Sequence, residues 1–289
     1  MPELLALSAA VVFGLVHFFS GLLARRADSY GVAVVGQVGG TILVLAVALV
    51  AAAGNAQSPV LAAPDVTGAA LGWGALSGVG TGIGVAYLYR GLATGQMSVV
   101  VPLSDVAAVA VPVLVGVVVL HERPGLLPWL GVGAALPALW LVSRQRRLGN
   151  GSAPASGAGY GMVAGVGFAL QFLAISRIDP AAGLWPILAA RLAATLTIVP
   201  TARAAGASLR VPRRLVWPAL VVGASGSVAI VLYLVATREQ LMALATVLAA
   251  LYPAVPVVLA VVFLGERPSW AQTLGLGLTA VAITMIALG

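Results

Sequence analysis

The segment that decides the fold occurs twice in the chain. Residues 111–124 read VPVLVGVVVLHERP, and residues 255–268 read VPVVLAVVFLGERP, so the second copy begins 144 positions after the first. Each copy is an apolar run with a proline near its start, and each run ends in a Glu-Arg-Pro turn. We therefore expect two copies of one structural unit.

Rarer residue types extend this match over much of the chain. The aligned pairs are Trp73 with Trp217, Gly82 with Gly226 and Tyr89 with Tyr233 at the shift of 144, and Arg26 with Arg177 and Asp28 with Asp179 at a shift of 151. A chain rich in valine and alanine aligns with itself by composition alone, but Trp, Tyr and Asp do not fall into order in that way. We interpret the two halves as repeats.

Composition indicates a membrane protein. Hydrophobic residues make up 61% of the 289 residues, charged residues only 8%, and the mean hydropathy is +1.08. A soluble domain carries about 25% charged residues, so this chain cannot cover a water-soluble surface. The absence of cysteine excludes disulfides and thiolate metal sites. Because the sequence also has no Walker loop, no His-Glu-x-x-His and no cofactor fingerprint, we expect neither a cofactor nor a metal.

Apolar runs predict the helices. A helix needs roughly 20 apolar residues to cross the hydrocarbon core of a bilayer. Ten such runs are separated by polar residues, proline or glycine. They cover 3–23, 30–53, 66–89, 97–120, 126–143, 158–176, 181–200, 215–236, 241–264 and 270–288. The sequence therefore predicts an all-α integral membrane protein with ten transmembrane helices.

One connection has the composition of a linker. Residues 144–157, RQRRLGNGSAPASG, separate a first unit over 1–143 from a second over 158–289. Each unit contains five predicted helices, and because five is odd, the second must enter the membrane from the opposite side. The result is two inverted five-helix repeats, an architecture typical of alternating-access carriers. We therefore predict a secondary transporter of a small solute.

The same residues resemble a known family. Residues 89–102, YRGLATGQMSVVVP, together with the two Glu-Arg-Pro turns, resemble the EamA-type repeat of the drug/metabolite transporter (DMT) superfamily. The resemblance covers both units and implies a ten-helix carrier of the cell membrane, often an exporter of amino acids, metabolites or toxic compounds, with a cavity between the halves. Many members carry Trp-Gly in the first helix where this chain has Phe13-Gly14, so the substrate is not carried over.

The expected partners are the lipid bilayer and a small-molecule substrate. Because no ATP-binding motif is present, transport is expected to use an ion or solute gradient or facilitated diffusion, with a proton or another ion as the candidate coupled species. We expect a monomer or a homodimer. The net charge of +7 does not predict nucleic-acid binding, since all 15 basic residues are arginines and 14 of them, all but Arg191, lie at or near the ends of apolar runs.

The arginines also predict an orientation. Three lie in connections on the side that holds the N-terminus and eleven on the other side. The positive-inside rule places the second side in the cytoplasm and both termini outside. Ten-helix members of the resembled family are usually drawn with both termini inside, so the two arguments conflict, and we follow the charge count.

Arg191 is the first candidate for the substrate site. It lies midway through the run 181–200, too far from either end for its guanidinium to reach the membrane surface. A charge at this depth is costly and by default faces a cavity or a partner. Its paired donors suit a substrate carboxylate or phosphate in a central cavity. The alternative is a structural ion pair or a carbonyl contact between helices.

Asp105 and His17 are candidates for proton binding. Asp105 is the only carboxylate well inside an apolar run, where desolvation favours its protonation. It is also a candidate partner of Arg191, and the alternative is a polar residue near a helix end or in a water-filled vestibule. His17 shares a helix face with Ser20 and is a candidate proton relay or a structural histidine between helices.

Further polar side chains are candidates for lining the cavity, although each also suits packing or the membrane interface. They are Ser20, Gln37, Gln171, Tyr87, Tyr89, Tyr233 and Tyr252. Gln171 aligns with Ser20 at the shift of 151, so we expect both to face the same central space.

A second interpretation is a membrane protein that transports nothing, such as an intramembrane enzyme or a sensor. Residues 223–226, GASG, match the Gly-x-Ser-Gly string of intramembrane serine proteases. Ser225 would be the nucleophile and His17 its base, provided that the two lie within hydrogen-bond reach. Matches of four residues arise by chance in a chain this rich in Gly, Ala and Ser, so a carrier remains the first interpretation.

Overall fold

The computed structural model describes residues 2–53, 66–119, 125–143, 157–239 and 254–288. Over these ranges the chain forms ten α-helices. They are α1 Pro2–Ala24, α2 Ser29–Ala53, α3 Gly68–Thr94, α4 Met97–Val119, α5 Leu126–Ser143, α6 Ala158–Ile175, α7 Trp185–Ala204, α8 Arg213–Glu239, α9 Ala254–Leu264 and α10 Trp270–Leu288. The prediction of an all-helical protein is confirmed for the described residues.

Six of these helices, α1, α2, α3, α6, α7 and α8, are long and apolar enough to cross a membrane. The other four contain shorter apolar stretches. For α9 the described residues are only part of the predicted run 241–264. Ten transmembrane helices therefore remain a prediction.

The outer surface of the bundle is apolar. Val118, Leu196 and Trp270 expose 73%, 74% and 78% of their surface, respectively. Apolar exposure on this scale would drive a soluble protein to aggregate, whereas lipid tails solvate it without penalty. The bilayer is thus the solvent for which this surface is built.

The predicted start of the seventh helix is wrong by four residues. A short 3₁₀ turn, Pro180–Ala182, precedes α7, which begins at Trp185. Gly183 has a φ of 63°, which favours glycine, and Pro186 fits the first helical turn, where its missing N–H is not needed. As a consequence, Arg191 is the seventh residue of a 20-residue helix and not its midpoint.

Helix α3 lies between two helices of the second half. A Cβ added at Gly74 or Gly78 would collide with the backbone of Pro186 or Ala190 on α7, and one added at Gly80 or Gly84 would collide with α6. The spacing of four residues between Gly74 and Gly78 predicts such close packing, which the structure confirms. Where α3 contacts the second half, the helices therefore approach backbone to backbone.

Four connections meet at one end of the bundle. The Arg25 side chain, after α1, contacts Gly95 between α3 and α4 and Glu266 between α9 and α10. Asp28, before α2, accepts a hydrogen bond from the Ser208 amide between α7 and α8. We name this the Arg25 end, and the opposite end, where α7 begins, the Trp185 end. Because successive helices run in opposite directions, the connections that follow α1, α3, α7 and α9 must lie at the same end of the bundle.

Candidate functional site

Two polar pairs lie inside the apolar bundle, and each joins one half of the chain to the other. Arg191 on α7 donates from Nη1 to Oε1 of Gln37 on α2, at 3.1 Å. The Thr81 hydroxyl on α3 donates to Oε1 of Gln171 on α6, at 2.7 Å. Three of these residues were predicted site candidates, and the structure brings them to the boundary between the halves.

Small residues make room for the arginine. Gly40 lies three positions after Gln37, on the same face of α2. A Cβ added at Gly40 would lie 3.4 Å from Cζ of Arg191 and 2.9 Å from Oγ of Ser227 on α8. The Ser227 hydroxyl also donates to the Gly40 carbonyl, at 3.3 Å. Helices α2, α7 and α8 therefore meet closely around the guanidinium.

A small cavity of about 50 Å³ adjoins these pairs. Its polar wall consists of Ser77, Thr81, Gln171 and Arg191, and isoleucines from α6, α7, α8 and the connection after α6 form much of the rest. This volume holds a few water molecules and is well below the roughly 300 Å³ of a typical small ligand pocket. The cavity is therefore too small in this conformation to enclose an organic solute.

Ser20, Tyr89 and Tyr87 lie outside the lining of this cavity, although Tyr89 is close enough to Arg191 to interact with it electrostatically. The Ser20 hydroxyl donates to the Tyr89 hydroxyl at 2.7 Å, linking α1 to α3. The rings of Tyr87 and Tyr160 lie 6.3 Å apart, a packing contact. None of these residues lines the cavity. Ser20 and Gln171 contact α3 eight residues apart, at Tyr89 and Thr81, and the expectation that they face one space stays a prediction.

Asp105 and His17 do not line the cavity either. Asp105 is buried on α4, with the Ser104 hydroxyl 3.5 Å from its Oδ1. The hydrogen bond that the Arg191 guanidinium forms goes to Gln37, so the suggested pairing of Asp105 with Arg191 stays a prediction. The side chain of Tyr233 and the whole of Tyr252 fall outside the residues that the structure describes.

Ser225, the candidate nucleophile, forms a hydrogen bond within its own helix. Its hydroxyl donates to the Val221 carbonyl one turn earlier on α8, at 2.9 Å. Serine in a membrane helix commonly bonds its own backbone in this way. The hydroxyl proton is therefore directed at the backbone of α8.

A polar cluster at the Arg25 end was not predicted as such. Arg25 donates from Nε to the Leu92 carbonyl and from Nη2 to the Gly95 carbonyl, both at 3.0 Å, and its Nη2 lies 3.3 Å from Oε1 of Glu266. The arginine therefore satisfies carbonyls at the C-terminal end of α3 and pairs with the carboxylate that follows α9.

Glu266 in turn caps α4. Its two carboxylate oxygens accept the backbone N–H groups of Met97 and Ser98, both at 3.1 Å, and Oε2 also accepts the Ser98 hydroxyl at 2.8 Å. A carboxylate at a helix N-terminus satisfies free donors and interacts favourably with the helix dipole. The repeated Glu-Arg-Pro turn singled out Glu266 in the sequence. Its partners Met97 and Ser98 could not be identified in this way, because they lie 169 and 168 residues away in the chain.

Comparison with known proteins agrees with this architecture. The sequence profile of the EamA-like transporter family matches residues 1–144 and again residues 155–288. The chain belongs to the EamA-like transporter family. The resemblance seen in the repeated turns is thereby confirmed, and with it membership of a transporter family of multi-span membrane proteins.

A solved structure described only as "Crystal structure of protein" resembles the EamA-like chain over nearly its full length. The TM-score is 0.59 at 17% sequence identity, covering 98% of this chain and 94% of the other. At this identity the likeness concerns the fold alone. A search of curated proteins finds no match.

Proposed function

We propose that this EamA-like protein is a secondary transporter of the cell membrane that exports a small solute by alternating access. The observation that carries the proposal is the pair of polar contacts that cross between the halves beside a cavity, Arg191 with Gln37 and Thr81 with Gln171. The direction, export, is proposed because the family that the chain resembles is often one of exporters. The ten-helix inverted arrangement is part of the same proposal.

The energetics support a site at this position. A guanidinium inside a bilayer is costly unless it serves a cavity or a partner, and here it adjoins a cavity. Both polar pairs join helices from different halves, so a movement of one half against the other would separate them. Transporters built from inverted repeats bind their substrates near the midplane between the repeats, where such movement exposes the site to each side in turn.

The two ends of the bundle differ in a way that suits one state of such a cycle. At the Arg25 end, Arg25 and Glu266 tie together three connections and the start of α4. The cavity instead reaches Ile178 and Pro186, close to the Trp185 end. In the proposed cycle this conformation is closed at the Arg25 end, and transport requires the Arg25–Glu266 contacts to separate.

Solute counterflow in liposomes tests the proposal. Purified protein is reconstituted, the vesicles are loaded with each solute of a broad metabolite panel, and entry of trace labelled solute is measured. We expect at least one solute to accumulate transiently above its level in protein-free vesicles. Absence of counterflow for every solute would remove the carrier interpretation.

Two variants localise the activity. Gln171→Leu removes one cross-half hydrogen bond at the cavity and should slow counterflow, whereas Arg203→Gln, at the exposed end of α7, should leave it unchanged. Equal loss in both variants would point to a general defect rather than to the proposed site. Efflux from preloaded cells, faster with the protein than without it, tests the direction.

A further inference from the structure

We propose that the solute recognised at Arg191 is a small organic anion with one carboxylate on an aliphatic body and no ammonium group. This inference rests on the proposed transport function and deepens it. It depends on which groups surround the guanidinium, on what the polar wall of the cavity offers, and on what its other walls contain.

The positive charge of Arg191 is not neutralised by a described carboxylate. The carboxylates whose side chains the structure describes are Asp28, Asp105, Asp179 and Glu266, and none forms an ion pair with it; Glu266 pairs with Arg25. The one hydrogen bond from the guanidinium goes to a neutral amide oxygen, that of Gln37. The neutral Gln37 amide fixes the position of the Arg191 side chain without neutralising its positive charge, which can therefore attract an anionic ligand.

The polar wall presents donors. A guanidinium carries five N–H groups in a planar fork that matches a carboxylate. Because the Gln171 oxygen accepts the Thr81 hydroxyl, the Gln171 amide nitrogen is left as a donor on the same wall. A cation and a neutral donor beside one cavity suit a ligand group that only accepts hydrogen bonds and carries negative charge.

The remaining walls suit an aliphatic body. Ile175, Ile178, Ile187 and Ile230 line the cavity, and no described acidic side chain does. A ligand ammonium group would therefore enter without a carboxylate partner and would lie near the Arg191 charge. Repulsion and desolvation both disfavour a zwitterionic amino acid or an amine at this site.

Head-group selectivity tests the inference with four probes that share a branched six-carbon body. These are 4-methyl-2-oxopentanoate, leucine, 4-methylpentan-1-amine and 4-methylpentan-1-ol, titrated calorimetrically into purified wild-type protein at neutral pH. We expect the oxo acid to bind at least about tenfold more tightly than each of the other three, as charge-assisted bidentate contacts allow. Tighter binding of leucine or the amine, or no binding of the oxo acid, overturns the inference.

Three variants identify the anchor. Arg191→Gln should weaken binding of the oxo acid by about ten- to a hundredfold, the loss expected for a hydrogen bond to a charged group. Arg191→Lys keeps the charge without the fork and should retain part of the affinity, while Arg203→Gln should bind as wild type. If Arg191→Gln does not fold, the affinity of the lysine variant and the head-group selectivity of the wild-type protein still test the inference.

This test fails separately from the transport test. Counterflow of an amine or a zwitterion would leave the carrier function intact and remove only the anion inference. Absence of counterflow for all solutes would remove the carrier, and with it the site as a transport site.

Discussion

At the residue scale, the feature with most consequence is a part-buried arginine inside the bundle that is bonded to an amide instead of a carboxylate. An internal Asp or Glu would neutralise Arg191 and make the site structural. The Arg191–Gln37 bond of 3.1 Å fixes the side chain across the two halves while its charge is retained. Keeping a charge at this depth is unfavourable for folding, which favours a role in binding.

Replacing Gln37 by glutamate tests this interpretation with an almost isosteric change. The new carboxylate would stand about where Oε1 now accepts from Arg191 and would act as an internal competitor for a ligand anion. We expect Gln37→Glu to raise the KM for the transported solute by about tenfold or more, with unchanged elution on size exclusion. Gln96→Glu, at an exposed position before α4, is the matched control. An unchanged KM in Gln37→Glu would contradict the assignment.

A site residue could be identified from the sequence when its residue type is unusual in a membrane helix. Arg191 was found because charges are rare at that depth. Thr81 gave no signal, since threonines in helices commonly lie near the carbonyl one turn back, as Thr81 does with Ser77 at 3.0 Å. Complementary charge suggested the Asp105–Arg191 pairing, but charge alone does not show whether two helix faces meet.

At the element scale, α3 holds the halves together through glycine. Its Gly78 faces the Ala190 backbone on α7 without space for a Cβ, whereas Gly72, on the same helix, has open space around it. Close approach of this kind stabilises helix pairs in lipid, where no hydrophobic driving force acts between helices.

The pair Gly78→Ala and Gly72→Ala isolates that contact. We expect Gly78→Ala to destabilise the protein by about 1–3 kcal/mol through overpacking. Gly72→Ala should change the stability by less than about 1 kcal/mol, toward greater stability. Thermal unfolding in detergent measures both. Similar midpoints for the two variants would show that α3 and α7 do not pack as described.

The start of α4 is the second feature at this scale. Its first two amides depend on Glu266, a residue from the connection after α9. In Glu266→Gln one anionic acceptor is lost, and with it the ion pair to Arg25. Arg267→Gln changes the neighbouring exposed residue and serves as control.

Hydrogen exchange measures this capping. We expect the amides of Met97 and Ser98 to exchange several-fold faster in Glu266→Gln than in wild type, because loss of a cap costs about 1 kcal/mol. The control variant should exchange as wild type. If both variants protect these amides equally well, Glu266 does not cap α4.

Element boundaries were predictable to within a few residues wherever polar residues bound an apolar run. Two helices depart further. Helix α3 continues five residues past the predicted end at 89, to Thr94. Helix α7 begins four residues late because a left-handed glycine at 183 and a proline at 186 delay it, which hydropathy does not register. The Arg25–Glu266 contact was beyond sequence reasoning for another reason, since it joins residues 241 positions apart.

At the scale of the whole molecule, two similar halves meet along several helix pairs, those of α3 with α6 and α7 among them, and enclose a small cavity with one polar wall. Hydropathy predicted the helical membrane fold, and the repeated Glu-Arg-Pro turns predicted the two units and the family. Which polar residues converge between the halves could not be predicted, because that depends on the rotation of each helix about its own axis, which packing determines.

The most direct test of the alternating-access claim is the reactivity of single cysteines at the two ends. The chain has no cysteine of its own, so Met97→Cys, buried beside the Arg25–Glu266 cluster, and Ile178→Cys, at the cavity near the Trp185 end, each report one position. The rates of reaction with a small thiol reagent are measured with and without a transported solute. We predict opposite responses, one rate rising as the other falls. Rates that change together, or not at all, would contradict the claim that the halves open these ends in turn.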